Sequence, residues 1–393
     1  MKSRTGNQNN CLRTAHIPVF FFAVILCAIC LAACGHAPNS AGQNVTISDE
    51  LIYTGSMERI YATQFSVDYY EGGYSLITIT GDGRFLVVPE GMHTPADLPE
   101  DIVVLAQPLN HIYLAASAVM DMFVSADALD SIRFSALDAD GWYIDAAKTA
   151  MQNGDILYAG KYSAPDYERI LAGQCDLAIE NTMIYHTPEV KEQLERLGIP
   201  VIVDHSSYET EPLGRTEWVR LYGLLTGKEA AAEAAFLSQT EALATVDPDG
   251  AAGKTVAFFY ITTNGAVNVR KASDYLPKMI ALAGGSYIFS DLGADDGTAS
   301  STVSMQMEEF YSAARDADYI IYNSTIDGEL TCVDDLLKKH SLLENMKAVK
   351  DGHVYCTTRN LYQSSMELGT IISDIHRMLT GDDANMTYLY QVN

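Results

Sequence analysis

Arg270 and Lys271 stand side by side in a chain where 51 Asp and Glu outnumber 25 Lys and Arg. Two adjacent cations in so acidic a sequence suit an anionic group, because a guanidinium offers a planar fork of donors that matches acidic oxygens. The competing reading is a strand-end pair that faces solvent or serves local carboxylates. Tyr185 and His186 form a second reactive pair. Phenolate and imidazole both ligate iron, so this pair could hold a metal carried by a ligand. Equally, His186-Thr187-Pro188 could simply open a helix. Trp142 offers a flat face for stacking, or else a core or rim aromatic. No metal site is assigned directly.

Other chemistry has little support. No GxSxG, HExxH, P-loop or spaced Cys/His cluster occurs. Scattered Asp and Glu pairs follow from the acidity alone. Past residue 34 only Cys175, Cys332 and Cys356 remain, too few and too scattered for a disulfide framework. Cys332 and Cys356 could pair, but free thiols are expected.

These residues need elements to position them. Residues 50–108 alternate apolar and polar and turn at Gly72-Gly73 and Gly81-Asp82-Gly83, which predicts hairpins. From about 109, NHIYLAA, SIRFSA, DILYAG, CDLAIE and IPVIVDH read as short strands, and SAVMDMFVSADAL, YIDAAKTAMQN, APDYERILAG and TPEVKEQLERLG read as helices. Such alternation predicts a parallel sheet with helices on its faces. Residues 213–225 read as one helix. KEAAAEAAFLSQTEALATV (228–246) is rich in strong helix formers and predicts a long helix, stopped by DPDGAAG.

A second alternation starts at Lys254. Strands TVAFFYITT and GAVNV join through Thr263-Asn264, then come helix ASDYLPKMIALAGG, strand SYIFSDL, helix MEEFYSAA, strand DYIIYN, helix VDDLLKKHSLL and strand HVYCTT. A last helix is predicted over 361–381. PDYERILAGQCDLAIE and MEEFYSAARDADYIIYN repeat one helix-to-strand step, each with a Glu near its start.

The expected fold class is therefore α/β. Two Rossmann-like lobes, 50–226 (with the hairpin-rich start 50–108) and 250–393, are joined by a single long α-helix, 227–246, with a ligand cleft between the lobes. In open α/β sheets ligands sit beyond the carboxyl ends of the strands. Polar and aromatic residues just past predicted strand ends are thus the cleft candidates. The first lobe offers Ser117, Trp142, Lys161, Tyr162, Tyr185 and His186; the second offers Asn268, Arg270, Lys271, Arg359 and Tyr362.

At 393 residues the chain exceeds what one core usually serves, which agrees with two lobes. Its formal charge of −26 argues against nucleic acid and anionic membrane surfaces as partners. Lys2, Arg4 and Arg13 precede an apolar run, 17–34, that ends Leu31-Ala32-Ala33-Cys34-Gly35. That ending resembles the bacterial lipobox. Residues 1–33 are expected to be a removed leader, Cys34 the lipid-modified N-terminus, and 34–49 a small, polar tether. The protein would then sit on the extracytoplasmic face of the cell membrane. An uncleaved signal anchor is the alternative.

Two α/β lobes joined by one helix behind a lipobox resemble the solute-binding proteins of ABC importers for iron–siderophores, haem and cobalamin. The resemblance covers roughly residues 105–380. It is carried by Glu168 followed eight residues on by Asp176 in ERILAGQCDLAIE, by LERLGIPVIV (194–203), by GKEAAAEAAF (227–236) and by KMIALAGGSYIFSDL (278–292). Cys175 departs from the Pro usual there, and the segment 50–105 is larger than the family's N-terminal strands. The resemblance implies capture of an iron complex (siderophore or haem) or a cobalamin-like ligand, and delivery to an ABC permease and its ATPase. It implies a monomer, no enzymatic activity and no cofactor beyond iron or cobalt in the ligand. One surface Glu per lobe would dock on permease arginines: Glu168 in the first lobe and, with Asp318 in the place of Asp176, Glu309 or its neighbour Glu308 in the second. With haem as ligand, Tyr185 and His186 are the implied iron ligands. Because a helix between lobes bends less than extended crossovers, closure should be modest. A surface-anchored hydrolase and an adhesion lipoprotein remain the alternatives.

Overall fold

The computed structural model describes residues 46–293 and 301–393. The leader, Cys34 and the tether up to residue 45 lie outside them. Residues Ile47 to Asn393 form one compact unit.

The alternating N-terminal segment makes a five-stranded sheet in sequential order: β1 (Tyr53–Ser56), β2 (Phe65–Tyr70), β3 (Ser75–Ile79), β4 (Gly83–Val88) and β5 (Ile102–Ala106). The predicted turns fall between β2 and β3 and between β3 and β4. Phe65, Val67, Ile77 and Phe85 bury toward the first-lobe core, while Tyr70, Leu76 and Leu86 bury on the other face. This is the two-residue period of a sheet covered on both sides. β5 departs from the hairpin expectation: it runs parallel to β4, with Arg84 opposite Ile102.

The first lobe holds β6 (Ile112–Leu114), β7 (Ile132–Ser135), β8 (Leu157–Tyr158), β11 (Leu177–Asn181) and β12 (Val201–Asp204), with a small ribbon of β9 (Gly160–Lys161) and β10 (Ala164–Pro165). The strand order is β12-β11-β6-β7-β8, all parallel. The chain winds outward from β6 one way, then returns to its other side. The order therefore reverses between β6 and β11, where a crevice opens in such sheets.

Residues 213–225 are two helices, Pro212–Glu217 and Val219–Thr226. They meet at buried Trp218, whose indole N–H donates to Glu209 Oε1 at 3.0 Å. The bridge is the 16-residue helix Glu229–Ala244. Ala232 and Phe236 bury in the first-lobe core, and Leu243 packs against the second. Two glycines allow this. A Cβ at Gly223 would collide with Ala232, and one at Gly369 with the Gln239 carbonyl. Helices on both sides can thus lie close against the bridge.

The second lobe holds β13 (Thr255–Ile261), β14 (Val267–Arg270), β15 (Ser286–Tyr287), β16 (Thr302–Met305), β17 (Tyr319–Tyr322), β18 (Val354–Thr357) and β19 (Leu389–Gln391). The order is β16-β14-β13-β17-β18-β19, with β15 beside β13. β13 and β14 form the expected hairpin, Phe259 opposite Val269. SYIFSDL contributes only two strand residues, 286–287. The last helix is Leu368–Thr380, so residues 361–367 are not helical as predicted. Their polar groups are drawn to the first lobe instead.

The two lobes are built alike in one further respect. Asp176 Oδ2 accepts from the Asn110 and His111 amides at 2.8 and 3.0 Å, just before β6. Asp318 Oδ2 accepts from the Thr255 amide at 2.9 Å, at the start of β13. Each Asp ties its own strand to the strand that opens its lobe.

Candidate functional site

The crevice between β6 and β11 opens into a cavity of about 540 Å³ that both lobes line. Residues past strand ends form the first-lobe wall: Ser117 after β6, Asn181 and Met183 at β11, and Asp204, Ser206 and Tyr208 at β12. The second lobe supplies Arg270 at the end of β14, Asp274 and Tyr275 at the next helix start, and Leu361, Tyr362 and Ser365. Arg215, on the helix Pro212–Glu217, completes the lining.

Arg270 is buried and fully engaged. Its Nη1 donates to Ser301 Oγ at 3.0 Å and lies 3.5 Å from Asp274 Oδ2. Its Nη2 meets the Tyr362 hydroxyl, and Cζ lies 4.9 Å from that ring's centroid. The same hydroxyl accepts from Asn323 Nδ2 at 2.7 Å. Arg215 differs. Its Cζ sits 3.9 Å over the Tyr275 ring and its Nε donates to the Ser206 carbonyl at 3.0 Å. Asp204 accepts from Tyr222 Oη at 2.5 Å and Ser206 Oγ at 2.5 Å, yet burial pushes its carboxyl above the usual range.

A strap from the second lobe floors the cavity. Gln363 accepts from the Tyr143 amide at 2.8 Å and donates to the Gly141 carbonyl at 2.8 Å. Ser365 Oγ donates to the Ala118 carbonyl at 2.5 Å, and the Met366 amide to Asp121 Oδ2 at 2.8 Å. The Met366 side chain is buried in the first-lobe core. Burial pushes Asp121 up to about 6, against the pull of the Met366 amide.

Of the sequence candidates, Ser117, Arg270 and Tyr362 line this cavity and the others do not. Trp142 is buried, its indole donating to Ser135 Oγ at 3.1 Å. Lys161 is exposed on β9, and Tyr162 packs on the first-lobe core. Asn268 donates to Tyr260 Oη at 2.8 Å. Lys271 is buried, its stem against Gly293, and so does not share the cavity with Arg270. Arg359 is exposed, its amide donating to Glu329 at 3.3 Å. Tyr185 and His186 are exposed on the turn Thr182–His186, but the imidazole that meets Tyr185 is His205, Nε2 at 2.7 Å. Burial, with Asp82 and Tyr208 nearby, pushes the Tyr185 phenol up to about 12. His205 Nδ1 is buried without a partner among the described residues. Glu168, Glu308 and Glu309 are exposed in the first turns of helices Tyr167–Ala172 and Met307–Ala314. Cys175, Cys332 and Cys356 are free. Among the described residues no group of three or more His, Cys, Asp or Glu is placed to hold a metal ion.

Sequence reasoning missed Arg215, Tyr275, Asp204, Ser206 and Tyr208. The last three were within reach, since Asp204 lies in the predicted strand IPVIVDH near its end and Ser206 and Tyr208 follow it. Arg215 carried no signal, because it sits in a helix whose other residues read as core.

A second cavity, about 740 Å³, opens at the amino ends of β7 and β8, away from the switch point. Its cations are committed: Lys228 to Asp127 at 3.5 Å, and Arg133 to the Gly154 and Asp155 carbonyls at 2.9 and 2.5 Å.

Comparison with known proteins agrees with this geometry. An uncharacterised lipoprotein of Methanocaldococcus jannaschii is 28% identical over 247 residues, a match spanning 61% of this chain and 56% of that one. A periplasmic haem-binding protein from Pseudomonas aeruginosa superposes with a TM-score of 0.56 at 16% identity, covering 72% of this chain and 98% of that one. A periplasmic vitamin B12 binding protein of Vibrio cholerae gives 0.50 at 14%, covering 71% and 99%. At these identities the structural likeness is one of fold. The family model for periplasmic binding proteins matches residues 140–361, more than half of the chain. By that match this chain belongs to the periplasmic binding protein family, whose members bind solutes rather than transform them.

Proposed function

We propose that this protein is the extracytoplasmic binding component of an ABC importer, taking an iron complex (siderophore or haem) or a cobalamin-like ligand in the interlobe cleft and delivering it to the permease. The observation that carries this is the placement of the 540 Å³ cavity, beyond strand ends of both lobes and lined by both. Its size falls within the range of small-molecule sites. The haem and vitamin B12 named for the structural neighbours support this choice of ligand class. An iron complex ranks first, because a corrinoid with its nucleotide arm is bulkier than haem. The lipoprotein relative supports Cys34 as the anchor, and Glu168 with Glu309, or Glu308, as docking points extends the family pattern to this chain. The imidazole beside Tyr185 is His205 and not His186, and none of the three lines the cavity, so this reading does not rest on them as iron ligands.

A thermal-shift screen of the mature chain against haem, cobalamin and ferric siderophores tests this. A ligand at a hundred times its Kd should stabilise the fold by about 2.7 kcal/mol. No shift with any of the three classes would refute the reading.

A further inference from the structure

We infer that the cleft takes a ligand bearing an acidic oxygen group, a carboxylate or an oxyanion of similar geometry, and that Arg215 rather than Arg270 binds that group. This deepens the reading of the cleft as the solute site and rests on it.

The argument begins with how each guanidinium is spent. Arg270 is committed to Asp274, Ser301 and Tyr362. Arg215 gives one N–H to the Ser206 carbonyl and lays its plane near the Tyr275 ring. Its two terminal nitrogens meet no carboxylate within ion-pair distance among the described residues. Of the carboxylates lining the cavity, Asp274 pairs with Arg270, and Asp204 is taken up by Tyr222 and Ser206. Arg215 is thus a half-buried cation that faces a cavity, with no carboxylate in ion-pair contact among the described residues. Asp204 feels its charge only from a distance and is held by Tyr222 and Ser206. A charge in that position is costly unless paired. Tyr275 and the Ser206 carbonyl fix the fork in place, and a fixed fork matches two oxygens of one acid group. The contacts come from both lobes: Tyr275 belongs to the second, Ser206 to the first. An acid group on Arg215 would therefore sit at the seam. In a chain of formal charge −26 an anion has little reason to settle elsewhere.

Two measurements together test this. The first uses inorganic pyrophosphate as probe: phenylglyoxal modification of the wild-type protein, mapped by peptide mass spectrometry, should mark Arg215, and pyrophosphate should slow that marking. The second titrates wild type, Arg215→Gln and Arg215→Lys with haem, haem dimethyl ester, ferric citrate and the uncharged ferrichrome. Wild type should prefer a carboxylate-bearing probe over its uncharged counterpart. Arg215→Gln should lose about tenfold to a hundredfold on that probe, the reach of a charge-assisted hydrogen bond. It should leave the uncharged probes unchanged. Arg215→Lys, which keeps the charge and loses the fork, should fall between. Failure of pyrophosphate to protect Arg215, or equal affinity of wild type and Arg215→Gln for the carboxylate-bearing probe, overturns the inference. Protection by pyrophosphate with none of the four probes bound leaves the anion site standing and removes the metal-chelate reading instead.

Discussion

Arg270 and Asp274 are a buried pair, so removing one strands the other. Arg270→Ala should cost about 3 kcal/mol of folding stability, the loss typical of a broken buried ion pair. Denaturant unfolding measures it; a change near zero would mean that the pair is solvated. Glu180 poses the opposite case. It lies on β11 in an apolar setting, with neither carboxylate oxygen hydrogen-bonded among the described residues, and burial pushes it up to about 8. The unfolded chain releases this proton near pH 4.3, well before the folded one does. Folding stability must then fall as pH rises from there toward 8. Glu180→Gln removes that slope. Its stability relative to wild type should grow with pH across this window, by at most about 1.4 kcal/mol per pH unit, as read from urea unfolding at pH 5 and pH 8. A difference that did not change with pH would show the carboxylate to be solvated. At this scale the sequence was partly legible. Ser117, Arg270 and Tyr362 could be found because strand ends point at a cleft. Trp142 and Lys271 misled because proximity to a strand end does not say which way a side chain turns.

The bridging helix was legible because its composition favours helix whatever surrounds it. What it packs against was not, since that depends on Gly223 and Gly369 meeting it from two distant parts of the chain. Gly369→Val would put side-chain atoms where the Gln239 carbonyl lies, and should cost about 3 kcal/mol by overpacking. Differential scanning calorimetry would show it as a lowered Tm, whereas an unchanged Tm would mean that the two helices can separate freely. The strap at 361–367 shows why local propensity failed. LYQSSMEL has helical spacing, but Gln363, Ser365 and Met366 find partners on the first lobe. Tertiary hydrogen bonds outweigh a single turn of helix. Likewise the parallel pairing of β5 with β4 depends on a crossover that periodicity alone does not encode.

The covalent link between the lobes is one helix, and the strap ties them a second time. Both features favour a small closure motion over a wide hinge. The N-terminal sheet, whose role was open from the sequence, is fixed to the lobe junction by two buried carboxylates. Glu217 accepts from the Tyr61 and Ala62 amides at 2.7 and 2.8 Å, and Glu209 from the Thr63 and Gln64 amides at 2.9 Å each. Glu209 directly follows cavity-lining Tyr208, so this sheet helps to hold one cleft wall. On the outer surface, reversing Glu168 and Glu309 to Lys together should abolish uptake by cells and leave ligand affinity intact. Persisting uptake would show that docking lies elsewhere. The lobe count and order were legible because repeated strand–helix steps declare themselves. The cleft chemistry was not, because it is assembled from segments remote in sequence, from Ser117 to Ser365.

Native mass spectrometry of the mature chain, exposed in turn to haem, cobalamin and ferric siderophores, bears most directly on solute capture in the cleft. One of these should give a single one-to-one adduct that disappears in Ser117→Trp, which fills the cavity from the first-lobe side. An adduct that survives Ser117→Trp, or no adduct with any of them, would contradict a solute site between the lobes.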